Sequence, residues 1–159
     1  MSSLNEFTPK KTVHLWPITM LRIYTGAFFI QYGFGKLTNP DFAQGLSGFV
    51  TGNLDKCYGF MRPFLESVVL PNSGIFAFLV SWGEFLIGCS LIVGLATRYA
   101  SVAGALMVAV FWFTKGQGFF EAQNHDAIWF MIFVVLAAVH AGRKHSLDAK
   151  LADRFRFLA

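Results

Sequence analysis

The chain has 159 residues, of which 55% are apolar and 14% charged, against roughly 25% charged in an ordinary globular chain. By length it is one domain, and it carries too few charges to wet a soluble surface. The net charge of +4 does not mark a nucleic-acid binder, because the basic residues flank apolar runs instead of clustering on a module, as membrane topology signals do. The composition predicts an all-α integral membrane four-helix bundle with interfacial amphipathic helices. Its first partner is the lipid bilayer, and no nucleic acid is expected.

Spans are expected at about 13–36, 75–95, 98–114 and 126–142 within a single domain covering 1–159. The first reads as a retained helix and not as a cleaved signal, since it continues to Lys36 without a small-residue cleavage site. Thr38-Asn39-Pro40-Asp41 stops it. Pro71-Asn72-Ser73-Gly74 precedes the second span, and Leu95-Ala96-Thr97-Arg98 is a tight turn that makes the second and third an antiparallel hairpin. The outer loop, 37–74, is too long for a plain connection. Apolar residues at helical spacing (Phe42, Leu46, Phe49 and Val50, then Leu54, Tyr58, Met61, Leu65 and Val68) predict two short amphipathic helices there, with Pro63 suited to a first turn. The tail, 143–159, predicts an interfacial helix capped by Ser146, with Leu147, Leu151, Phe155 and Leu158 on one face.

An even number of spans puts both termini on one side. That side holds Lys10, Lys11, Arg98, Arg143, Lys144, Lys150, Arg154 and Arg156, and the other holds Lys36, Lys56, Arg62 and Lys115. The excess predicts cytoplasmic termini.

Arg22 and Glu84 are charges inside the first and second spans, and a charge at membrane depth is expected to face the interior and be paired. Helical rise sets them roughly 10 and 16 Å from the same membrane face. Two readings stand side by side: a structural ion pair holding two helices in register, and a polar site for a quinone head group, a proton or an anion. Glu121, Asn124, His125 and Asp126 precede the fourth span; they read as a helix cap and solvated turn, or as a His–carboxylate group. His14 and His140 fall at span ends, so a haem held between them is not expected, and no metal site is. Cys57 and Cys89 are too far apart in depth for a disulfide.

Leu21-Arg22-Ile23 with Gly26, and Tyr32-Gly33-Phe34-Gly35-Lys36-Leu37, resemble the opening of DoxX-family proteins. The stretch from Pro63 to Asn72 resembles the loop of the DoxD-like branch. Glu84 with Gly88, then Gly94-Leu95-Ala96-Thr97-Arg98, and later Ser146-Leu147-Asp148, resemble the rest of the pattern. The resemblance implies a four-helix protein of the bacterial or archaeal inner membrane. The DoxD-like branch is named for the small subunit of thiosulfate:quinone oxidoreductase, and by that analogy Arg22, Lys36, Glu84, Arg98, Asn124 and Asp126 are the polar positions to examine.

The expected function is that of a membrane subunit of a quinone-linked redox complex, with a polar site at Arg22 and Glu84 and other membrane or periplasmic subunits as partners; the residues name no cofactor, and quinone is the candidate. The alternative is a non-catalytic scaffold or assembly factor.

Overall fold

A computed structural model describes residues 16–139, and these residues form helices and connecting turns with no strand. The helices are α1 (Trp16–Leu37), α2 (Phe42–Asn53), α3 (Arg62–Phe64, widening into a π-helical turn over Leu65–Val69), α4 (Ser73–Val93), α5 (Thr97–Lys115) and α6 (His125–Ala138). Among the described residues, α4 and α5 are long and apolar enough to cross a membrane. The expected tail helix from Ser146, together with His14 and His140, lies outside the described residues.

Local chemistry sets the boundaries. Asn39 Oδ1 accepts from the Asp41 amide at 3.0 Å, closing the turn after α1. Pro63 sits in the first turn of α3, where its missing N–H costs no hydrogen bond. Gly94 ends α4 with φ of 73° and Gly116 ends α5 with φ of 65°, left-handed caps that glycine adopts without strain. On α3, Glu66 accepts from Arg62 Nε at 3.0 Å. That hydrogen bond and the carboxylate's charge raise the Arg62 pKa above its ordinary value.

The helices pack mainly in pairs, α1 on α4 and α5 on α6, with α4 against α5 joining them. Two apolar clusters result. One, around Phe29, Ile87, Leu91, Phe133 and Leu136, fills the space between the four long helices. The other, around Leu46, Val50, Met61, Leu65, Val69 and Ala77, lies beneath α2 and α3. The two amphipathic segments therefore bury their apolar faces against α4 and α5, closing one end of the long helices. The outward sides of α4 and α5 remain apolar: Ile75, Phe78, Leu86 and Leu106 are all more than half exposed. Such an exterior suits lipid better than water.

In lipid the apolar drive between helices is weak, and close packing takes its place. The α1–α4 contact depends on missing side chains. A Cβ on Gly33 would stand 2.5 Å from the Phe85 amide nitrogen, whereas one on Gly35 would meet nothing within 4 Å. Gly33→Ala is therefore expected to lower stability by about 1–3 kcal/mol, and Gly35→Ala to leave it unchanged, measured as thermal unfolding in detergent. Equal midpoints for the two variants would contradict the close approach.

Candidate functional site

The close crossing at Gly33 sets which charges meet. Side chains on a helix tilt toward its N-terminus, so Lys36, at the C-terminal end of α1, leans back to the level of Gly33. There its Nζ forms a hydrogen-bonded ion pair with Glu84 Oε1. The Glu84 side chain is 9% exposed and that of Lys36 22%. The second carboxylate oxygen of Glu84 is buried with no hydrogen-bond partner among the described residues. The Lys36 ammonium also lies over the rings of Phe42, at 5.5 Å, and Phe111, at 5.4 Å.

Arg22 is buried, at 1% exposure, but it stands well away from Glu84. Gly26 packs against Gly88 and Ile92 and Gly33 against Phe85, so Arg22 falls near the level of the Gly94–Ala96 turn. It lies about 16 Å along α1 from Gly33 at the helical rise. The cation beside Glu84 is Lys36. Depths reckoned from sequence treat α1 and α4 as ending level, whereas α1 runs past the end of α4.

A second pair forms at the junction of α5 and α6, where Lys115 Nζ lies 2.7 Å from Asp126 Oδ2. The connection before α6 is a loop over 116–124, so Glu121 and His125 do not share a helical face. Glu121 instead accepts from the Gly118 amide at 2.9 Å. Asn124 caps α6, accepting from the Ala127 amide at 3.0 Å and donating to the Gly118 carbonyl at 2.9 Å. These bonds fix where Asp126 and His125 begin the helix.

Both pairs face one cavity of about 750 Å³, lined by Lys36, Glu84, Lys115, His125 and Asp126 among the rings of Phe28, Phe29, Tyr32, Phe42, Phe49, Phe111 and Trp129. That volume is in the range of cofactor sites, and a few convergent polar groups on aromatic walls are their usual lining. Of the residues singled out from sequence, Lys36, Glu84, His125 and Asp126 come together here. Asn124 positions two of them, while Arg22 and Arg98 do not line the cavity, Arg98 being exposed at the opposite end. In sequence Lys115 is only a flanking charge; its one signal is its place in the last turn of a span facing an acidic helix start. Cys57 and Cys89 are free thiols.

The described residues form a small helical protein with two helices long and apolar enough to cross a membrane and a charged cavity beside them. The DoxX family model matches residues 18–117, and the chain belongs to the DoxX family. Membership and the two apolar helices point to a membrane protein of the DoxX type. No curated protein and no solved structure matches the chain.

Removing one partner of a buried pair leaves the other charge stranded. Lys36→Met is expected to cost about 3 kcal/mol, and adding Glu84→Gln to recover most of it, read by chemical unfolding in detergent micelles. A double variant as unstable as the single one would show that the pair carries no coupling.

Proposed function

We propose that this protein is a membrane subunit of a quinone-linked redox complex, and that the cavity between Lys36–Glu84 and Lys115–Asp126 receives the quinone head group. The observation that carries this reading is the balance of charge in an aromatic-walled cavity: two lysines face two carboxylates. A site for thiosulfate or another anion needs a surplus of positive charge, and a quinone head group is neutral. Its carbonyl oxygens accept hydrogen bonds, and Lys36 and Lys115 are donors from two sides. The aromatic rings pack on its faces. Electrons come from partner subunits. In the bacterial or archaeal inner membrane, with both termini cytoplasmic, the cavity lies toward the outer face. The likeness of Pro63–Asn72 to the DoxD-like loop agrees with a quinone-linked role.

The test is equilibrium binding of a benzoquinone without a side chain to the full chain in lipid nanodiscs, followed by quenching of tryptophan fluorescence, since Trp129 lines the cavity. Saturable binding is expected, weakened roughly tenfold or more, about 1.4 kcal/mol, by Lys36→Met with Glu84→Gln and again by Lys115→Met with Asp126→Asn. No saturable binding, or binding indifferent to both double variants, would return the chain to the scaffold reading.

A further inference from the structure

Beside the charged cavity, and sharing Leu46, Phe49, Met107 and Phe111 with it, runs an apolar groove of about 280 Å³. Its walls are side chains of α2, α3, α4 and α5, among them Val50, Leu65, Val69, Val80 and Val110. The hydroxyl among them, that of Thr114, donates to the Val110 carbonyl at 2.7 Å and presents no open polar group. At its mouth Leu79 is 54% exposed and Leu106 65%. These residues belong to the apolar outward faces of α4 and α5, so the groove opens sideways where lipid tails lie. Phe111 lines both spaces and presents its ring to the Lys36 ammonium.

We propose that this groove holds the polyprenyl tail of the quinone whose head occupies the charged cavity, so that the site takes a membrane-dissolved, long-chain quinone entering laterally between α2 and α5. This rests on the head-group reading above. The two spaces lie side by side with four lining residues in common, and that adjacency fits a single amphipathic molecule with one neutral polar end. An anionic phospholipid matches less well, because its net negative head would meet a cavity whose charges are already balanced. Leu46 and Phe49 of α2 line both spaces, so α2 roofs the cavity and the groove together.

The experiment compares two probes on the full chain in nanodiscs of one lipid composition: a benzoquinone without a side chain, and the same head carrying a two-isoprene chain. Val110→Trp fills the groove from its edge, and Leu106→Trp, at the exposed mouth, is a second variant. Val102→Trp is the control, on α5 but outside both spaces. The groove variants are expected to lose roughly tenfold in affinity for the tailed quinone while holding the tail-less affinity within about twofold, and the control to change neither. Groove variants that lose both affinities, or neither, overturn the tail assignment and leave the head site standing. A wild-type chain that binds no tail-less quinone overturns the head site, and this inference with it.

Discussion

A carboxylate in the middle of a long apolar helix is the constraint on which the rest depends. Glu84 lies within α4, the more apolar of the two membrane-length helices, with its side chain almost wholly buried, and a buried charge without a partner is costly. The chain answers with Lys36, brought to it by the glycine-mediated approach of α1. That approach fixes the α1–α4 register, and the register fixes which residues of α1 face the cavity. Phe29 then reaches across to Phe133 on α6, ring to ring at 4.9 Å, tying the second helix pair to the first. The cavity is what remains between the pairs toward the ends that carry charge.

The site combines two kinds of wall. Aromatic rings supply broad, polarisable surface, and the Lys–carboxylate pairs supply donors without net charge. Each lysine is held by its acid partner, so its ammonium has a set orientation in the cavity. Asn124 and Glu121 do the same for the loop before α6, so that Asp126 and His125 are placed by a network and not by a free turn.

Much of this was legible from residues alone. The helical class, α2 and the first-turn role of Pro63 follow from periodicity and proline chemistry, whereas the expected helix from Leu54 begins only at Arg62: Leu54 to Met61 form turns, and Tyr58 and Val68 are exposed. The importance of Glu84 follows from its depth. Its partner did not follow, because depth along one helix says nothing of how far a neighbour is shifted along its own axis. Gly33 held that information, but only the three-dimensional contact with Phe85 reveals which glycine on α1 makes the crossing. Lys115 was hidden for a different reason: at a span end, a lysine that anchors topology and a lysine that lines a site look the same in sequence. Asp126 could be seen as a helix-start acid, yet its pairing needed the loop geometry set by Asn124.

The clasp between the α2–α3 connection and the end of α5 bears on the order in which the protein can be made. The Tyr58 amide donates to the Phe113 carbonyl at 3.0 Å, its hydroxyl donates to the Gln117 carbonyl at 3.0 Å, and Gly116 leaves room for the Lys56 carbonyl, which a Cβ would strike. Synthesis runs from the N-terminus, so α2 and α3 emerge well before the residues that seat them. The roof can pack on α4 as soon as that helix follows it, and the Tyr58 clasp closes only once the end of α5 exists. Asp126, His125 and Trp129 come later still, on α6. The cavity therefore takes its first walls from α1 and α2 and is completed only by the last third of the chain, which supplies Lys115, His125, Asp126 and Trp129.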